Sequence, residues 1–187
     1  MTLCFFGDGA INQGSFHEAL NLAALYRLPI IFICENNLFA MGTSVKRSTS
    51  LKQIVDRAEG YDIPGEIVDG MNFREVRDKV GEVADSIRKQ PHPAFLEVRT
   101  YRYRGHSMSD PASYRTKDEL EKYRLDDPII RLRAQLTREG KLTNEQFDQL
   151  DKRAKETVLA AVKFAEESPE LPVEKLYDYV YFNGAKS

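Results

Sequence analysis

Apolar residues in the first hundred positions fall into two alternating patterns. Residues 2–6 and 30–34 are short, β-prone apolar runs, the signature of buried strands. Between them Phe16, Ala19, Leu20, Ala23 and Ala24 recur at helical spacing. Asn12-Gln13-Gly14-Ser15 supply helix-starting chemistry, and Pro29 ends that helix. Residues 1–37 therefore predict a βαβ unit. Residues 66–70 form a short strand leaving into a turn. Phe73, Val76, Val80, Val83 and Ile87 mark an amphipathic helix over 72–89, broken at Pro91 and Pro93. Residues 94–101 read as a further strand, alternating enough to leave one face partly polar. The order β-α-β, loop, β-α-β predicts an α/β fold: a mostly parallel sheet with helices on both faces.

The connecting stretches are polar. Residues 38–60 read as a loop with a helical turn, and Tyr61-Asp62-Ile63-Pro64-Gly65 is a turn signal. Asp69 reads as a turn or cap residue, and His92, between two prolines, as exposed and inert. From Thr116 the chain becomes helical and highly charged. Thr116-Lys-Asp-Glu119 and Thr143-Asn-Glu-Gln146 are capping boxes, and Asp127-Pro128 starts a helix that stops near Gly140. The long helix to Glu167 carries Phe147, Leu150, Ala154, Ala161 and Ala165 on one face. The tail, with Tyr177, Tyr179, Tyr181 and Phe182, is either a packing strap or a partner contact, and exposed terminal aromatics favour the latter. The expected organisation is an α/β domain over residues 1–115 and a helical extension over 116–187 packing on it.

Composition narrows the function classes. The 187 residues carry 27 Lys and Arg against 29 Asp and Glu, a net charge of −2, which argues against a general nucleic-acid binder. Basic and aromatic residues interleave over 100–115, but one short cluster in a mildly acidic chain is poor support for RNA binding. Cys4 and Cys34 both lie in strand runs and read as reduced core residues. No stretch is long and apolar enough to span a membrane, and no secretory or transit peptide opens the sequence. Because Met1 directly precedes a core strand, the chain reads as a fragment.

The candidate chemistry lies where the strands end. Gly7-Asp8-Gly9 comes after the first strand and Asn36-Asn37 after the second, separated by twenty-six residues, 10–35. In open α/β sheets the binding crevice lies at those carboxyl ends. A helix start after Gly9 offers free N–H groups suited to a diphosphate. Asp8 and Asn37 are hard oxygen ligands of the kind Mg²⁺ takes when it also holds phosphate oxygens. This spacing resembles the thiamin diphosphate-binding motif, and the chain resembles the second half of the α subunits of 2-oxo acid dehydrogenase E1 components, in a fold then incomplete at its N-terminus. The resemblance implies that Asp8, Asn37 and the backbone carbonyl of Phe39 hold Mg²⁺. It also implies that the N–H groups of Gly9 and Ala10 meet the diphosphate.

A second stretch, Tyr101-Arg102-Tyr103-Arg104-Gly105-His106-Ser107-Met108-Ser109-Asp110-Pro111, leaves another strand on the same side. In isolation His106 is more often a hydrogen-bonded loop residue than a catalytic one. The resemblance makes it the histidine of a mobile active-site loop, touching the cofactor and orienting or protonating intermediates during acyl transfer. It likewise makes Ser107, Ser113 and Ser44 candidate regulatory phosphorylation sites. The wording of the loop looks like the pyruvate branch, with branched-chain and acetoin relatives as alternatives. By the same resemblance pyruvate is the substrate, and the partners are an E1 β subunit in an α2β2 heterotetramer and the lipoyl domain of E2. The acid that activates the thiamin ring belongs to the β subunit. A folded but non-catalytic half that cannot hold cofactor alone is the competing reading. The expected location is the bacterial cytoplasm, with mitochondrial matrix or plastid as alternatives.

Overall fold

A computed structural model describes residues 1–178 and 180. Of the aromatic tail, Tyr179, Tyr181 and Phe182 lie outside the described residues. Two compact units are present, Met1–Gln135 and Leu136–Ser187, divided within one helix.

The first unit opens with β1 (Thr2–Gly7), a 3-10 turn over Asp8–Asn12, α1 (Gly14–Leu25) and β2 (Ile30–Asn36). A small hairpin comes next, β3 (Phe39–Ala40) with β4 (Thr43–Ser44), then the short helices α2 (Val45–Ser48) and α3 (Asp56–Glu59). The stretch expected to be a loop with a helical turn is thus a hairpin and two helical turns. The unit continues with β5 (Gly65–Asp69), α4 (Phe73–Lys89), β6 (Ala94–Arg99), α5 (Lys117–Leu125) and α6 (Pro128–Arg138). The second unit adds α7 (Asn144–Glu167) and a 3-10 turn at Val173–Lys175. Among the described residues no helix is long and apolar enough to cross a membrane.

The sheet is parallel throughout, in the order β1-β2-β6-β5. Alternation along the two inner strands sends side chains into two separate cores. Phe32, Cys34 and Phe95 pack with Ile11, Phe16, Leu20 and Ala23 beneath α1. Ile31, Ile33, Leu96 and Val98 pack with Val83, Ala84 and Ile87 of α4 on the other face. Helices therefore cover both faces, as the pattern predicts. The cysteines are free, with Cys34 buried and its thiol pushed well above the usual range by burial. The outer strand β1 differs: Leu3 and Phe5 face away from α1 and are 42% and 60% exposed.

Several sequence expectations are corrected. β6 has no polar face open to water, because its place between β2 and β5 buries Ala94 through Val98, Glu97 included. It also ends at Arg99 rather than Tyr101. His92 is half-buried, with Nδ1 2.7 Å from the Gln90 carbonyl oxygen. The Thr143–Gln146 capping box is complete, whereas Thr116 accepts from the Glu119 N–H while the Glu119 carboxylate turns away to the Tyr101 hydroxyl, 3.1 Å distant. Asp69 is the turn residue expected: it accepts from the Met71 N–H, while Asn72 caps α4.

Phe95 is fully buried and meets the Phe6 and Phe16 rings edge-on at 6.0 and 6.2 Å, joining three elements. Phe95→Ala should cost about 3–5 kcal/mol. Urea unfolding checks this: the midpoint should fall with the slope unchanged.

Candidate metal and diphosphate site

The register of β1 on β2 pairs Gly7 with Glu35, so Asp8 and the Asn36-Asn37 pair leave the sheet side by side. Beyond Gly7 the chain enters a tight 3-10 turn over Asp8–Asn12, and α1 begins only at Gly14. The amides of Gly9 and Ala10 therefore belong to that turn and not to the α-helix that the sequence suggests. Gly9 is required where it stands, since a Cβ there would lie 2.8 Å from the Cβ of Ala40 in β3. This close approach sets the hairpin against the 3-10 turn.

The segment after β2 is held by two successive side-chain turns. The Leu38 N–H donates to Oδ1 of Asn36 at 3.1 Å, and the Phe39 N–H donates to Oδ1 of Asn37 at 3.3 Å. These bonds hold Leu38 in the left-handed region at φ 75°, which a branched apolar residue rarely adopts unaided. Met41 at φ 53° then closes the hairpin. Asp8 is only 4% exposed. Burial raises its carboxyl above the usual range, and the backbone amides of Asp8 and Asn37 and the Arg102 guanidinium offset part of that effect.

The 100–116 segment is latched onto this hairpin. Arg102 donates from Nη2 to the Met41 carbonyl at 2.7 Å and to the Tyr114 hydroxyl at 3.0 Å. The Tyr114 ring lies 5.0 Å from that of Phe39, and its hydroxyl donates to Asp110 at 2.9 Å. Asp110 also accepts the N–H groups of His106 and Ala112, at 2.7 and 2.8 Å. Gly105 has to be glycine, because a Cβ there would sit 2.4 Å from the Asp110 carbonyl oxygen. Arg115 donates to the carbonyls of Arg102 and Tyr103 and lies 5.6 Å from the Tyr101 ring centre.

His106 is exposed at the tip, with Nδ1 3.3 Å from Arg102 Nη1. A guanidinium can only donate, so Nδ1 accepts and the ring proton of neutral His106 sits on Nε2. Ser107 and Ser113 are exposed, and Ser107 Oγ lies 3.1 Å from Ser109 Oγ. Ser44 is half-buried, opposite Phe39 across the hairpin. It lines an open cleft of about 430 Å³ with Lys46, Lys122 and Tyr123.

Known proteins are similar to this chain over most of its length. The model of the family described as "Dehydrogenase E1 component" matches residues 1–174. The chain belongs to the dehydrogenase E1 family. It is 46% identical over 178 residues to the pyruvate dehydrogenase E1 component subunit alpha of Rhizobium meliloti (strain 1021), covering 95% of this chain and 51% of that protein. The same-named protein of Rickettsia bellii (strain RML369-C) is 45% identical over 177 residues, covering 95% and 54%. The testis-specific mitochondrial form of Rattus norvegicus is 42% identical over 181 residues, covering 96% and 46%. The chain spans about half the length of the curated relatives it matches.

In this E1 chain the donor set suits a cation that brings its own anionic ligands. Among the described residues no cluster of three or more His, Cys, Asp or Glu side chains could hold a metal. Asp8 could offer one carboxylate, Asn37 an amide oxygen and Phe39 a carbonyl, a set that would leave positions for phosphate oxygens or water. The Nε of Arg102 is buried without a hydrogen-bond partner among the described residues, a donor suited to an anion or an ordered water. Sequence reasoning named His106 but passed over Arg102, Asp110, Tyr114 and Glu97. For the first three the signal lay in the polar stretch around His106 itself. For Glu97 it was a single acid inside the apolar run 94–98.

Three amide and hydroxyl donors hold the Asp110 carboxyl below its ordinary 3.8. A depressed carboxyl stabilises the ordered loop above the unfolded value, and that contribution is lost as pH falls through the lowered one. Asp110→Ala should therefore raise the rate of proteolytic nicking within 100–115 at neutral pH. The native loop should keep its resistance down to pH 3.8, its ordinary value. Timed digestion at several pH values checks both.

Proposed function

We propose that this chain supplies the diphosphate and Mg²⁺ side of a thiamin diphosphate site in an E1 α subunit of pyruvate dehydrogenase. The reaction would be oxidative decarboxylation of pyruvate with acetyl transfer to the lipoyl group of E2. The observation that carries this reading is the buried Asp8 carboxylate, raised by burial, beside the Asn37 backbone amide and within the field of the Arg102 guanidinium. An acid in that position is stabilised by a bound cation. The relatives' names favour pyruvate over other 2-oxo acids. An E1 β subunit and a lipoyl domain would be the partners.

Thiamin diphosphate, when bound, supplies the carbanion chemistry, and the protein supplies binding, orientation and electrostatics. Asp8 and Asn37 would ligate Mg²⁺ through side-chain oxygens and Phe39 through its carbonyl. Gly9 and Ala10 would offer amide N–H groups to the diphosphate. His106, with its ring at the loop tip, would donate its Nε2 proton as a lipoyl sulfur leaves once Nδ1 has taken up a proton and released Arg102, so that the ring passes from imidazolium to neutral imidazole. A phosphate on Ser107 would add about −1.5 to −2 of charge beside His106, enough to disturb the Asp110 latch.

Asp8→Asn tests the cation site, and its expected signature has two sides. A carboxyl raised by burial costs stability above its unfolded pKa, so removing the charge should raise the melting point of the metal-free protein at pH 7. The gain is about 2–4 °C per kcal/mol recovered. In calorimetry on the assembled enzyme, the same variant should lose roughly a hundredfold or more in Mg²⁺-dependent thiamin diphosphate affinity. Unchanged affinity would sink the assignment.

His106→Ala tests the loop. Acyl transfer to the lipoyl domain should fall about a hundred- to ten-thousand-fold, the usual worth of a general acid. Decarboxylation followed with an artificial electron acceptor should fall much less. Equal losses would put His106 at an earlier step.

A further inference from the structure

Glu97 is 1% exposed at the centre of the sheet, paired with Cys34 on one side and Ile67 on the other. A carboxylate buried at that depth is costly, and a well-packed apolar residue there would serve stability at least as well. Its bonds indicate what it does instead. Oε1 accepts from Asn36 Nδ2 at 2.8 Å and from Arg99 Nε at 3.0 Å, and Oε2 accepts from the Val55 N–H at 3.0 Å. The Arg99 side chain is half exposed, so the charge is countered from the sheet's end without a second buried ion.

The orientation of Asn36 is set by this contact. A carboxylate can only accept, so it fixes the Asn36 amide with Nδ2 toward Glu97 and Oδ1 toward the Leu38 N–H. That second bond holds Leu38 in its left-handed turn between Asn37 and Phe39. The other oxygen works on the opposite side of the crevice. Val55 leads into Arg57, whose Nη2 donates to Asn12 Oδ1 at 2.8 Å, at the end of the 3-10 turn that holds Asp8, Gly9 and Ala10. Arg57 Nη1 also meets His17 Nε2 at 3.2 Å, and His17 Nδ1 meets the Tyr61 hydroxyl at 2.7 Å, which ties the same segment to α1.

We infer that Glu97 is a positioning residue for the cation site, setting from beneath the sheet's end the spacing of its two ligand-bearing turns. It acts on one turn through Asn36 and on the other through Val55, Arg57 and Asn12, without touching the cation. The inference rests on the proposed Mg²⁺ and diphosphate site.

The test is calorimetric Mg²⁺ affinity of the assembled enzyme with thiamin diphosphate present, beside thermal melting. In Glu97→Gln an amide donor faces one of three donors, and Mg²⁺ affinity should fall about 10- to 100-fold, the range seen when a partner of a metal ligand is lost. Asn36→Ala should weaken Mg²⁺ comparably, and the double variant should lose clearly less than the sum of the two. A carboxylate that only stabilised the fold would lower the melting point and leave the affinity of the folded enzyme unchanged, which would overturn the inference. Additive losses would overturn the route through Asn36. If Glu97→Gln does not assemble, native affinity in Asn36→Ala overturns it equally. Asp8→Asn separates the two readings. If it binds Mg²⁺ like the native enzyme, the site assignment itself fails. If it has lost binding while Glu97→Gln has not, only the role of Glu97 fails.

Discussion

Burial of β2 and β6 on both faces is the constraint on which the rest of the structure depends. Two cores, one under α1 and one under α4, keep water from these strands over Ile31–Cys34 and Ala94–Val98. Polar chemistry must then collect beyond the strand ends or be fully satisfied inside. The two buried carboxylates illustrate the two outcomes. Glu97 has donors on both oxygens and is a finished internal joint. Asp8, at the end of β1, is held mainly by backbone amides, and burial raises its carboxyl. The first behaves as part of the frame. The second is an incomplete electrostatic arrangement, which the proposed cation would complete.

Arg102 couples this frame to the His106 loop. One guanidinium contributes to the field at Asp8, holds the Met41 carbonyl, meets Tyr114 and faces His106. The loop tip stays open to solvent while its base is fastened by Asp110 and Arg115. A fixed base with an accessible tip suits the role proposed for His106, meeting a group that would arrive from another protein. Charge added near Ser107 would act on the fastening as well as on the tip.

Much of this was legible in the sequence, because the deciding signals were local. The two glycines around Asp8, the paired asparagines, Pro29 and the spacing of Val76, Val80, Val83 and Ile87 each depend on neighbours within a turn or two. The misreadings came from non-local facts. Alternation in residues 94–101 suggested one partly polar face, but strand order places β6 inside the sheet, so Glu97 is buried. The Glu119 carboxylate left its expected capping partner for Tyr101, a residue eighteen positions away whose ring stacks on Tyr123 at 3.8 Å. The β3–β4 hairpin has only two residues per strand, too short for any periodicity, and it depends on side-chain turns at Asn36 and Asn37.

The outward face of β1 has a further consequence, for handling the polypeptide. Leu3 and Phe5 stand exposed on a strand paired on one side by β2, and the other side is an open row of amide and carbonyl groups among the described residues. Residues 2–6 contain neither a charged side chain nor a proline, the two features that usually guard such an edge. Produced as an isolated polypeptide, the chain has a ready template for copies to add to one another strand by strand. Inclusion bodies and concentration-dependent turbidity would then originate at its first six residues and not in its charged helices.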